Sequence, residues 1–114
     1  IFILNNQYLG MVRQWQELLH GGRYAESHMD VHPDFVKLAD AYGAKGRKVE
    51  KPAELDDAIR EMIETPGAFI LDVRTDASEN VFPMIPAGAA HNEMLMGPED
   101  EAENPSSEDG MVLV

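Results

Sequence analysis

The apolar positions change period along the chain, and each period predicts an element. Ile1-Phe2-Ile3-Leu4 is an unbroken apolar run closed by two amides, Asn5-Asn6. A short run of this kind reads as a buried strand. Met11, Val12, Trp15, Leu18 and Leu19 then recur at helical spacing and define one stripe of a helix over about 9–19. His20-Gly21-Gly22 stops it, because glycine suits the left-handed C-terminal cap. Pro33 is suited to a first helical turn, and Phe35, Leu38, Ala39 and Tyr42 line one face of a second helix that Gly43 ends. Arg47-Lys48-Val49 is a short candidate strand. Pro52 opens a third helix with the clearest period, carried by Leu55, Ala58, Ile59, Met62 and Ile63. Glu54, Asp56 and Asp57 stand in its first turns, where the helix dipole favours acids. Thr65-Pro66-Gly67 breaks it, and residues 68–73, AFILDV, read as a strand buried on both faces. Strand, helix, helix, short strand, helix, strand is the order of an α/β layer, here a partial parallel sheet flanked by helices.

The remaining segments lack a clean period. Residues 21–32 are polar, with Arg23, His28, Asp30 and His32. A metal cluster is one reading of them, but the spacing matches no familiar ligand pattern, and a solvated loop is preferred. Val81 to Gly88 is apolar but interrupted by Pro83 and Pro86, which excludes a central strand or a helix. Such a segment needs a surface to lie on. PEDEAENPSSEDG, from Pro98, is acidic and rich in Pro and Ser, the composition of a disordered tail. Three regions follow: 1–74 as the α/β body, 75–97 as an extended segment, and 98–114 as an irregular acidic tail.

Composition narrows the function classes. The chain has 114 residues and net charge −12, which argues against nucleic-acid binding. Residues 1–74 hold 12 acids and all 9 bases, and residues 75–114 hold the other 9 acids. There is no cysteine, so disulfide scaffolds and thiolate metal sites are excluded and a reducing cytoplasm is the expected location. No apolar run approaches the ~20 residues of a membrane span. Ile1 falls inside a strand, so the chain is read as a piece of a longer protein, and a transit peptide stays open.

The candidate chemistry lies after the first strand. In open α/β sheets, ligands sit at the carboxyl ends of strands, and Asn5 and Asn6 stand at such an end. Their amide oxygens are hard donors of the kind Mg²⁺ accepts beside phosphate oxygens. The ordinary reading of an Asn pair is a turn.

Asn5-Asn6 after an apolar strand resembles the closing half of the thiamine-diphosphate motif. The longer string NNQYLGMVRQWQ is similar to the large catalytic subunits of the acetolactate synthase (acetohydroxyacid synthase) family. The resemblance continues through RYAESHMDVHPDFVKLADAYG and GAFILDVRTDASENVFPMIPAGAAHNEML, to about Gly97. It implies the C-terminal part of a thiamine-diphosphate-binding fold. The implied cofactors are thiamine diphosphate and Mg²⁺, with FAD contacted mostly from a domain outside this chain. The implied metal ligands are Asn6 and the backbone carbonyl of Tyr8. The opening Gly-Asp-Gly of the motif, which carries a further ligand, is absent. Leu9, Gly10 and Met11 join Asn6 and Tyr8 as the implied cofactor-binding set. Met11, Val12 and Trp15 are the implied substrate-binding residues, with Trp15 selecting the second 2-oxoacid; core residues on an apolar stripe are the alternative. Arg13 and Gln14 are expected to face solvent. Ala87 matches a position at the mouth of the active-site channel, which suits 75–97 as a cover.

The implied activity is decarboxylation of pyruvate and transfer of the two-carbon unit to a second 2-oxoacid, in branched-chain amino-acid synthesis. The implied acid/base glutamate belongs to the N-terminal domain of a partner subunit, so no catalytic residue is assigned here and the piece alone is expected to be inactive. The implied partners are small 2-oxoacids, a second catalytic subunit in a homodimer or tetramer, and a candidate regulatory small subunit. The alternatives are another thiamine-diphosphate carboligase or decarboxylase, such as glyoxylate carboligase, and a non-catalytic module.

Overall fold

Three short strands pair in parallel, and the intervening segments supply the helices. The structure, a computed structural model, describes residues 1–97, so the expected acidic tail over 98–114 lies outside the described residues. Two compact units are present. The first holds Ile1–Tyr8 and His28–Ser78, and the second holds Leu9–Ser27 and the described residues from Glu79.

In the first unit, β1 (Phe2–Asn5), β2 (Lys45–Val49) and β3 (Phe69–Arg74) form one sheet in the order β1-β3-β2. Both pairings are parallel, with Ile3 opposite Asp72 and Arg47 opposite Leu71. This is the α/β arrangement that the order of elements predicts. The central strand β3 carries the core. Phe69, Leu71 and Val73 share one face by the period of two, and they cluster with Val49 and Ala58 under Leu55, Ile59 and Met62. Full burial of a side chain such as Leu71 stabilises by about 1.5–3 kcal/mol.

The helices differ from expectation at their starts. Pro52–Glu54 is a 3₁₀ turn, and α3 proper runs Leu55–Glu64 with Asp56 and Asp57 in its first turn. The second helix, α2, is Phe35–Ala41, two residues later than Pro33. Asp34 caps it, accepting from the backbone N–H groups of Val36 and Lys37, both at 3.1 Å. The hydrogen bond from the Lys37 N–H, first among the causes, lowers the pKa of the Asp34 carboxyl. On α2, Ala39 is buried, while Leu38, and Tyr42 just past the helix end, are exposed. The inner face is therefore narrower than the predicted stripe. It meets β2 closely: a Cβ on Gly46 would stand 3.0 Å from both the Ala39 Cβ and the Val36 Cα.

The first strand corrects the sequence reading. A buried strand was expected, yet Phe2 and Leu4 are exposed. The reason is position. β1 is an edge of this sheet, and α3 packs over β3 and β2 rather than over β1. The residue of β1 that is buried is the polar one, Asn5.

In the second unit, α1 (Gly10–Leu19) matches its predicted span, but its buried side is not the apolar stripe. Gln14 is 2% exposed, whereas Met11, Val12 and Trp15 are 53%, 47% and 44% exposed. The expectation that Arg13 and Gln14 face solvent is overturned. The Arg13 side chain is largely covered, bonded to Glu17 at 2.6 Å and set 5.2 Å from the Tyr24 ring centre. Residues 79–97 contain no long element. Met84 and Leu95 exchange two backbone hydrogen bonds of 2.9 and 2.7 Å, and His91–Glu93 is a 3₁₀ turn. No helix among the described residues is long and apolar enough to cross a membrane.

Candidate functional site

The turn after β1 is built by two side-chain amides. The Asn5 Oδ1 accepts the Gln7 N–H at 3.1 Å, and the Asn6 Oδ1 accepts the Tyr8 N–H at 3.1 Å. Asparagine favours such bonds to the backbone two residues on. They turn the chain sharply enough that Gln7 takes φ 63°, a left-handed conformation uncommon outside glycine. The Gln7 carbonyl accepts the Met29 N–H at 2.9 Å, and the Tyr8 ring lies 4.7 Å from the His28 ring. The strand end is thereby fixed to the start of the loop that follows position 27.

The two asparagines have different surroundings. Asn5 is 6% exposed and also donates from Nδ2 to the Asp72 Oδ1 at 2.8 Å. Both ends of its amide are used inside the unit. Asn6 is only half-buried, and its Nδ2 makes no hydrogen bond among the described residues. Its oxygen accepts one N–H, and a carbonyl oxygen has two lone pairs. The Asn5 oxygen keeps a lone pair too, but it is enclosed, whereas the half-buried Asn6 can still offer its oxygen to a ligand.

The donor chemistry fits Mg²⁺ with a diphosphate. Mg²⁺ takes one or two protein oxygens together with phosphate oxygens and water, rather than an all-protein cage. The Asn6 amide and the Tyr8 carbonyl are donors of that kind. Among the described residues no group of three or more His, Cys, Asp or Glu could hold a metal. His28 instead pairs with Asp30.

In the second unit, Met11, Val12 and Trp15 line an open groove of about 560 Å³ with Gln16, His20 and Arg23. The wall is apolar, and the two basic side chains stand beside it. Leu9 and Gly10 open α1 and are exposed. Leu9 is tied by its N–H to the Ser27 carbonyl at 2.8 Å. Ala87 is exposed.

Two residues were missed from sequence. Asp72, 4% exposed, has a legible signal, being the one charge inside AFILDV. Gln14 has none, since a glutamine on an amphipathic helix reads as its wet side. Its amide pairs with the backbone of Val81, donating to O at 2.9 Å and accepting from N at 2.7 Å, and Nε2 also meets the Met84 Sδ at 3.1 Å.

A parallel sheet whose first strand ends in paired asparagines has known counterparts. The family described as thiamine pyrophosphate enzyme, C-terminal TPP binding domain, matches residues 1–73, and the chain belongs to it. Within that family it is similar to the acetolactate synthase large subunit of Haemophilus influenzae, with 41% identity over 105 residues, covering 91% of this chain and 18% of that protein. It is also similar to the acetolactate synthase large subunit of Cyanidium caldarium, with 46% identity over 96 residues, covering 83% of this chain and 16% of that protein. The large subunit of Escherichia coli isozyme 2 is 42% identical over 95 residues, again 83% of this chain and 17% of that protein. The chain thus spans less than a fifth of the length of these relatives.

Proposed function

We propose that the chain is part of the large, catalytic subunit of an acetolactate synthase. The full-length enzyme converts pyruvate and a second 2-oxoacid to acetolactate or acetohydroxybutyrate, for branched-chain amino-acid synthesis in the cytoplasm. It works as a homodimer or tetramer and takes a regulatory small subunit, as the name large subunit in the relatives suggests. Bound thiamine diphosphate supplies the carbanion-stabilising chemistry. The residues here bind and orient. Asn6 Oδ1 and the Tyr8 carbonyl hold Mg²⁺, and Leu9, Gly10 and Met11 complete the cofactor-binding set. Met11, Val12 and Trp15 form the substrate wall, and the segment 75–97 covers the site. No residue of this chain is assigned an acid/base step, and FAD contacts are assigned to none of its residues. The 114 residues alone are proposed to be inactive.

The observation that carries this reading is the split in burial between the two asparagines: Asn5 is enclosed and donates to Asp72, and Asn6 remains half-buried at the strand end. The identity with acetolactate synthases supports the particular reaction over other carboligations.

Trp15 provides the test. One methylene in a pocket is worth about 1–3 kcal/mol, and it is all that separates 2-oxobutyrate from pyruvate. In the full-length enzyme supplied with both, Trp15→Leu is expected to lower the acetohydroxybutyrate-to-acetolactate ratio by no more than that value, with total product maintained. A thermal melt runs beside the competition assay. An unchanged ratio in a destabilised protein returns Trp15 to a packing role. A wild-type enzyme that makes no acetolactate from pyruvate, or prefers glyoxylate, overturns the assignment of the reaction.

A further inference from the structure

A helix lying on a surface normally buries its apolar stripe. Helix α1 does the reverse, burying an amide and leaving Met11, Val12 and Trp15 exposed. The buried amide is not idle. Gln14 presents its carbonyl to the Val81 N–H and its NH₂ to the Val81 C=O, as a neighbouring strand residue would. Its second N–H points to the Met84 thioether. The partners lie 67 and 70 residues further along the chain. Two bonds of opposite polarity to one residue fix the amide plane as well as its distance. A single contact would leave the helix free to roll.

We infer that Gln14 is a positioning residue for substrate discrimination: its clamp on Val81 and Met84 sets the rotation of α1 and so the direction in which Met11, Val12 and Trp15 face. This rests on the proposed role of Trp15 as the selective wall. Side-chain tips stand about 5–6 Å from a helix axis, so a roll of about 20° moves them through roughly 2 Å. That breaks a 2.7 Å hydrogen bond at Gln14 and moves the indole by the same amount. Displacements of ~1 Å at a reacting site are enough to change rates up to about a hundredfold. The residue segment 79–84 thus acts on selectivity from behind the helix, without touching the substrate.

The test uses the full-length enzyme with pyruvate and 2-oxobutyrate in competition. Gln14→Met keeps the length and the apolar stem but removes both prongs. Val81→Pro removes the N–H from the other side, at an exposed position, and remains informative where Gln14→Met fails to fold. Both variants are expected to lower the acetohydroxybutyrate-to-acetolactate ratio by at least about threefold and by no more than the roughly 200-fold that a methylene commands at most. Hydrogen exchange is expected to quicken at the Val81 amide in Gln14→Met and at the Met84 amide in both variants. A lower melting temperature with a wild-type product ratio in both variants, while Trp15→Leu shifts it, overturns the clamp and leaves the Trp15 wall standing. An unchanged ratio in Trp15→Leu itself overturns the wall, and the inference falls with it.

Discussion

Asn5 and Asn6 are the same side chain one step apart, and the fold gives them opposite work. Consecutive strand residues point to opposite faces, and here the face of Asn5 contains Asp72. The buried carboxylate needs a donor, and Asn5 Nδ2 supplies it at 2.8 Å. Asn5→Ala removes that donor and leaves a buried carboxylate short of a partner, which costs about 1–3 kcal/mol. The expected outcome is a lower melting temperature of that size for Asn5→Ala, with Asn6→Ala close to wild type in the absence of ligand. Equal melting temperatures for the two variants would show that the Asp72 bond does not hold the strand end. The pair itself was legible, because two amides after an apolar run mark a strand end. The division of labour was not, since it depends on a register between positions 5 and 72 that no local pattern encodes.

At the scale of elements, periodicity served best where one partner decides the outcome. Helix α3 meets a single apolar surface, so its i, i+3, i+4 pattern names Leu55, Ala58, Ile59 and Met62 correctly as the inner face, while Ile63, the fifth residue of the predicted stripe, lies past the edge of that surface and is exposed. β3 is central, and an apolar run is what a central strand needs. The pattern failed where exposure depends on what lies beyond the element. β1 has the composition of a buried strand but stands at an edge, and the stripe on α1 faces a groove. The start of α2 moved because Asp34, a better cap than anything before Pro33, accepts from two backbone N–H groups. Gly46 shows what sets the spacing of α2 and β2. A methyl group there meets the Val36 Cα and the Ala39 Cβ at 3.0 Å, and the Val36 backbone cannot swing aside as a long side chain would. Gly46→Ala is expected to push α2 from the sheet and destabilise by about 1–3 kcal/mol, the usual cost of overpacking. Denaturant titration checks it: a midpoint at or above that of the wild type would mean that α2 shifts freely.

For the whole molecule, charge and ligand decide together. The chain carries −12, with every Lys and Arg inside residues 1–74. A diphosphate adds further negative charge, and the largest local charge available to offset it is a bound cation. Two neutral oxygens, from Asn6 and from the Tyr8 backbone, bring no charge of their own. On the proposed reading, the cofactor therefore depends on Mg²⁺ rather than on basic side chains. A ligand that binds only the folded protein stabilises it by RT ln(1 + [L]/Kd), about 2.7 kcal/mol at a hundredfold excess over Kd. Mg²⁺ with thiamine diphosphate is thus expected to raise the melting temperature of the full-length enzyme, and neither alone is expected to match the pair. Chelation is expected to abolish both the shift and acetolactate formation, and added Mg²⁺ to restore them. On the same reading, Asn6→Ala would remove one of the oxygens offered to Mg²⁺, a cation that tolerates little change in its ligand set. Its thermal shift is expected only at higher Mg²⁺, with activity returning in part. Asn5→Ala, once its lower baseline is allowed for, is expected to need no more Mg²⁺ than wild type. The Mg²⁺ concentration at half-maximal shift separates the two. If it rises more for Asn5→Ala than for Asn6→Ala, the assignment of Asn6 as the ligand is wrong.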